Sequence, residues 1–160
     1  MELLILLLFL FLMTALILTI VTYIFMGLSV YSAARLEGLN NKWFAWVPFL
    51  NMVLLFKLGN KDWKYIWLIV GQVVVSVIQE YTDSGLLLFI EIVLLILVVI
   101  VQIQAYLNIS KKYEVNPAWF IVGAFFPPIM LVAYILFYNK VRKLETSQSI
   151  EQVKEIEEVK

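Results

Sequence analysis

Long apolar stretches alternate with short charged ones along this chain, and the lengths of the apolar stretches decide its class. Residues 3–32, 65–79, 86–109 and 119–138 are almost wholly apolar. A helix needs about 20 apolar residues to cross the roughly 30 Å hydrocarbon core of a bilayer, with a tolerance of a few residues either way. The pattern therefore predicts an all-α integral membrane protein with four apolar helices over those residues. Between the first two lies N-K-W-F-A-W-V-P-F-L-N-M-V-L-L-F-K-L-G, residues 41–59, apolar but too short to cross and interrupted by Pro48 and Asn51. That stretch predicts a short interfacial or re-entrant helix over residues 47–58, started at Pro48 and ended by Gly59 in a left-handed cap. Asn51 then sits a turn inside, an amide in apolar surroundings that must find a partner.

The first segment is about twice the length of a signal-peptide core, and it begins Met1-Glu2 without a basic leader, so it is expected to remain as a spanning helix. Its Thr14, Thr19 and Thr22 are expected to bond back to carbonyls of their own helix. In the second segment Gln72, Ser76 and Gln79 recur at helical spacing and form one polar stripe. The plainer reading of the stripe is hydrogen bonding between helices; the sharper one is a polar path across the membrane. Glu91, about a turn and a half into the third segment, shares a helix face with Gln102 and Tyr106. An ionisable group at depth is a functional candidate. Glu91 reads either as a proton or cation site or as a structural carboxylate bonded to Gln72 or Ser76, and the absence of a second membrane carboxylate or a basic partner favours the structural role.

Charge sets the expected orientation. Twelve basic and twelve acidic residues cancel, so the total points to no partner, nucleic acid included. Their distribution is uneven: Arg35, Lys42, Lys57, Lys61 and Lys64 gather before the second segment, and Lys111 and Lys112 after the third. The positive-inside rule makes loops 33–64 and 110–117 cytoplasmic, the N-terminus external and the acidic turn at residues 80–85 external. Trp43, Trp46, Trp63, Tyr65 and Trp67 cluster where aromatic residues meet headgroups. The last segment divides these criteria. Its length suits a span, while Lys140, Arg142 and Lys143 beyond it suit a re-entrant turn at Pro127-Pro128 that brings the tail back. A kinked fourth helix is the expectation adopted.

Residues 1–143 read as one transmembrane domain and 144–160 as an acidic tail. Ser149-x-x-Gln152 is able to cap a short amphipathic helix there, with Ile150, Val153, Ile156 and Val159 as a narrow stripe for docking on a partner. A short internal repeat relates residues 3–58 to 86–138. Arg35-Leu-Glu-…-Asn-…-Trp-Phe44 matches Lys112-Tyr-Glu-…-Asn-…-Trp-Phe120, and each leads into an apolar run broken by proline.

The chain contains no cysteine and no histidine. Disulfides, thiol chemistry, Cys/His metal centres and histidine-based triads are thereby excluded. No catalytic, cofactor-binding or metal-ligating set emerges, and an enzyme is not expected; the candidate membrane-embedded polar site is Glu91, Gln72, Ser76 and Gln102.

The stretch around Pro48 resembles a family of small bacterial integral membrane proteins of unknown function, which carry W-x-A-(L/W)-I-P-x-x-N followed by K-(I/L)-A-G-(K/R)-x-x-W after an N-terminal spanning helix. The matching positions are Trp43, Ala45, Trp46, Pro48, Asn51, Leu55, Lys57, Gly59, Lys61 and Trp63. Later the family has a second I-P-x-x-N element and a glycine-rich fourth segment, where this chain has Val70-Gly71-Gln72 and Gly123-Ala-Phe-Phe-Pro127. The resemblance implies a bacterial cytoplasmic membrane and no activity. The expected function is a non-catalytic subunit, scaffold or accessory factor, in contact with membrane lipid and with another membrane protein or a second copy of itself. The alternative is a small transporter or channel component built around Glu91.

Overall fold

The computed structural model describes residues 1–82 and 84–158. It is all-helical among these residues: α1 (Glu2–Leu36), α2 (Leu50–Leu58), α3 (Ile66–Tyr81), α4 (Gly85–Lys112), α5 (Pro117–Phe125) and α6 (Pro127–Glu158), with short 3₁₀ turns at Lys42–Trp46 and Trp63–Tyr65. Only α1 and α4 are long and apolar enough to cross a membrane, two helices where the apolar runs predicted four. The shortfall has two physical causes. α3 has 16 residues, one more than the run 65–79, and still falls short of the roughly 20 a crossing takes; the 3₁₀ turn at residues 63–65, capped by the Asp62 carboxylate accepting from the Lys64 N–H at 3.0 Å, keeps it from starting earlier. The last apolar run does not continue as one kinked helix; it breaks at Phe126, whose extended backbone ends α5 before α6 begins.

That break folds the run back on itself. Gly123 lies against Met130, the Phe120 and Tyr134 rings meet edge to face at 5.9 Å, and Glu114 pairs with Lys140 at 3.5 Å. These are successive rungs of an antiparallel hairpin, so α6 returns to the end from which α5 departed. A proline in the helix interior removes a hydrogen bond and clashes with the preceding turn, which is why the chain turns here. Glycine at 123 lets the two helices touch, since a Cβ there would stand 2.7 Å from the Met130 Cα. Asn116 starts α5 by accepting from the Ala118 N–H at 2.9 Å, with Pro117 in the first turn. The charge-based expectation for the last segment therefore describes its shape better than the length-based one.

The first loop makes a comparable excursion. After α1 ends, the 3₁₀ turn Lys42–Trp46 packs back along α1, with the Trp46 ring over Gly27 and the Trp46 carbonyl accepting from the Tyr23 hydroxyl at 2.6 Å. α2 then begins at Leu50, later than predicted. Pro48 lies before the helix, and Phe49 takes φ 65° and ψ −45°. Gly59 does not adopt the left-handed cap expected of it, with φ −83°. Asn60 takes that conformation instead, at φ 52°. Glycine is needed at 59 for proximity, because a Cβ would meet the Ala105 Cα of α4 at 2.8 Å.

α1 and α4 end in the same way. Gly38 and Glu114 are left-handed, and the N–H of the next residue reaches back to the helix, Leu39 to the Ala34 carbonyl at 2.9 Å and Val115 to that of Ser110 at 3.0 Å. This is the Schellman closure of a helix. The backbone thus aligns Gly38 with Glu114, one residue out of step with the sequence match of Glu37 to Glu114.

The core joins the C-terminal part of α1, all of α2, the C-terminal half of α4, α5 and the first half of α6. Its centre is aromatic. Phe120 stacks on Tyr106 at 5.0 Å, Tyr113 meets Phe137 edge to face at 5.0 Å, and the hydroxyls of Tyr106 and Tyr134 hydrogen-bond at 2.9 Å. Outside this core, α3 packs chiefly on α4, with Ile69 reaching the core, and buries no residue completely, and the most apolar window of α1 is bare. The tail is not a separate helix capped at Ser149: α6 runs through it, and the Ser149 hydroxyl donates to the Thr146 carbonyl within the helix at 2.8 Å. Ile150, Val153 and Ile156 are exposed on it, and Val159, like Asp83 of the acidic turn, lies outside the described residues.

Candidate functional site

Three places bring chemically distinctive side chains together. The first is the α3–α4 hairpin. Ser76 donates to the Glu91 carboxylate across the two helices, the pairing that the spacing of the polar stripe allows. Gln79 lies on the same stripe, and its Oε1 is buried without a hydrogen-bond partner. Gln102 does not join this group. Its amide donates to the Met52 sulfur of α2 at 3.7 Å, and Tyr106, one turn further, faces Tyr134 of α6. The face of α4 shared by Glu91, Gln102 and Tyr106 is real, but it passes three partners in turn: α3, α2 and the α5–α6 hairpin. Periodicity places residues on a face; it does not say that one neighbour covers the whole of it. The threonines of α1 behave as expected, with Thr14, Thr19 and Thr22 each donating to the carbonyl four residues back at 2.8 Å.

The second place is the end of the bundle where α1 and α4 finish. Glu37 accepts from the Tyr113 hydroxyl and pairs with the Lys112 ammonium at 2.7 Å, and Arg35 pairs with Glu145 of α6 at 2.5 Å. Burial pushes the Tyr113 phenol well above its ordinary range, and the bond to Glu37 and its negative charge add to this. Lys61 donates to the Gln104 carbonyl oxygen at 2.6 Å, and Asn108 to the Gly59 carbonyl at 2.7 Å. The connections that follow α1 and α2 are both tied here by polar contacts to the C-terminal part of α4 or its end. The proximity of Glu37 to Lys112 and Tyr113 joins residues 75 positions apart or more, and nothing in local spacing announces it.

The third place is the proline-containing turn before α2. A cavity of about 310 Å³ opens there, between Tyr23 and Met26 of α1, Pro48, Phe49, Asn51 and Met52, Ile69 of α3, and Val98 and Gln102 of α4. Asn51 is 4% exposed, and its amide donates to the Met26 sulfur at 3.7 Å, the only side-chain partner it has among the described residues. At the mouth, the Leu50 N–H reaches the Pro48 carbonyl at 2.8 Å across Phe49. With positive φ at Phe49, this is a γ-turn of the strained hand. The other positions of the tryptophan-proline-asparagine motif serve different ends. Trp43 and Trp63 are exposed, Lys57 points outward, Trp46 lies over Gly27, and Gly59 permits the contact with α4. The motif brings Pro48 and Asn51 to the cavity and leaves the tryptophans at the surface.

No group of three or more metal-ligating side chains occurs among the described residues. No family model matches the chain, and no curated protein or solved structure does.

Proposed function

We propose that this protein is a membrane-embedded accessory subunit or scaffold, non-catalytic, that uses the N-terminal half of α1 to pack against another membrane protein. One observation carries this reading. The most apolar window of α1 has no buried residue, while Ser76 pairs with Glu91 and Gln102 with Met52 inside the fold. Without a hydrophobic drive between helices in lipid, such a face associates by close packing. The resemblance to small bacterial membrane proteins agrees with a cytoplasmic-membrane location, with the stapled, lysine-rich end facing the cytoplasm as the positive-inside rule requires. The shared closure of α1 and α4, each followed by a proline-broken excursion, agrees with two repeated units in one orientation.

The test is purification of the tagged protein in a mild detergent, beside a variant carrying Leu10→Trp and Ile17→Trp on the bare face. A stoichiometric membrane partner, or a second copy of the chain, held by the wild type and lost from the variant supports the reading. A monomer without partner, or a partner indifferent to both substitutions, overturns it. A second reading, a transporter component, is favoured by the Glu91 carboxylate standing partly exposed on the α3–α4 hairpin. It predicts that Glu91→Gln abolishes ion flux into liposomes while leaving assembly unchanged.

A further inference from the structure

The cavity behind the γ-turn combines features that a purely structural void does not need. Asn51 and Gln102 bring two carboxamides to one small space, and the side-chain bond each donates goes to a thioether sulfur at 3.7 Å. A carboxamide has two donors and a carbonyl acceptor, and sulfur is a weak acceptor, so most of this capacity is unused. Lys61 donates to Gln104, two residues beyond Gln102, so the cavity lies close to the lysine-bearing end of the bundle, where the head groups of a bilayer meet its hydrocarbon.

The backbone adds an independent sign. Phe49 is a bulky residue at φ 65°, and its side chain is 59% exposed at the cavity mouth. Such strain costs on the order of what a hydrogen bond contributes and gathers at ligand sites and switches. No Lys, Arg, Asp or Glu lines the space, so a charged head group has no counter-ion there. Beyond the amides and Tyr23, whose hydroxyl is spent on the Trp46 carbonyl, the lining is apolar, from Ile69, Val98 and the two methionines.

We infer that this cavity binds a membrane amphiphile with an uncharged, oxygen-bearing head group, its hydroxyl or carbonyl oxygen held by Asn51 and Gln102 and its apolar chain lying between α1 and the α3–α4 hairpin. The volume, about 310 Å³, takes a compact head and the first part of a chain, not a whole phospholipid. The site is independent of the partner-binding face on the N-terminal half of α1.

The experiment uses the full chain in liposomes of phosphatidylethanolamine and phosphatidylglycerol, labelled with a diazirine-bearing hexadecanol and, separately, with the same probe lacking the hydroxyl. Cross-links are mapped by peptide mass spectrometry. The alcohol is expected to label residues 48–52 and 98–102 about fivefold more than the alkane, the ratio one neutral hydrogen bond supplies. Asn51→Leu and Gln102→Leu should each bring that ratio close to one. Gln102 is only half-buried, so its variant decides the matter if Asn51→Leu fails to fold. Equal labelling by the two probes in the wild type, or a ratio unmoved by Gln102→Leu, overturns the inference.

Discussion

The hydrogen bond between Tyr106 and Tyr134 offers a quantitative test of the core. The two rings are 6% and 2% exposed, and their hydroxyls lie 2.9 Å apart at the junction of α4 with the α5–α6 hairpin. Tyr134→Phe keeps the ring and its contact with Phe120, and removes only the oxygen. The Tyr106 hydroxyl then remains buried without its partner, at a cost of about 1–3 kcal/mol. Tyr106→Phe should cost about the same, by symmetry of the bond. The double variant leaves two apolar rings of unchanged shape and no orphaned group, so it should lose less than either single variant, about 0–1 kcal/mol. The cycle therefore predicts a favourable coupling of at least about 1 kcal/mol, the scale seen for contacting residues. Reversible unfolding in mixed micelles by denaturing-detergent titration, followed by circular dichroism, measures all four proteins. If the two single losses simply add in the double variant, the hydroxyls do not bond to one another, and the packing of α4 on the hairpin is wrong as described.

Other expectations test the remaining parts of the fold. Gly123→Val places a Cβ within 2.8 Å of Met130 backbone atoms and should destabilise by about 1–3 kcal/mol, whereas Gly71→Ala, with no atom within 4 Å of its new Cβ, should stabilise α3 by about 0.5–1 kcal/mol; the same titration separates the two signs. Phe49→Gly relieves the positive φ and should raise stability by about 1 kcal/mol net of the exposed ring, while weakening labelling of the cavity by the alcohol probe. Tyr113 has a folded-state pKa raised above its ordinary 10.0, so its contribution to stability is fully present below that value and is lost as pH rises beyond it. Thermal unfolding of wild type and Tyr113→Phe from pH 7 to 11 should show the wild type losing its advantage only above about pH 10; an advantage that disappears below pH 9 would contradict the assignment.

The all-helical architecture was legible in the apolar runs, though not the number of spanning helices, and so were the ends of α1 and α4 to within a few residues. Ser76 with Glu91 was legible too, because both lie on helices joined by a short turn and the stripe repeats at helical spacing. What escaped was set by contacts remote in sequence. Gly59 reads as a left-handed cap in isolation, and its true role depends on Ala105, 46 positions away. Residues 119–138 look like a span because hydropathy weighs Phe126 and the two prolines as merely apolar, while the backbone treats them as a corner. Asn51 was recognised as an amide needing a partner, but the cavity it lines draws on α1, α3 and α4, which no local pattern brings together. Glu37 with Tyr113 and Lys112 is of the same kind.

The unbroken course of α6 has a mechanical consequence. Its first half is gripped in the core as far as Val141, the Arg35–Glu145 pair holds the next turn, and the 13 residues from Thr146 to Glu158 project beyond them. At 1.5 Å per residue this part is a rigid arm of about 20 Å. A tilt of the buried segment by about ten degrees moves the tip by roughly 3 Å. The hairpin is therefore a fulcrum, and the tail a pointer that magnifies small changes inside the helical bundle into displacements large enough for another molecule to register.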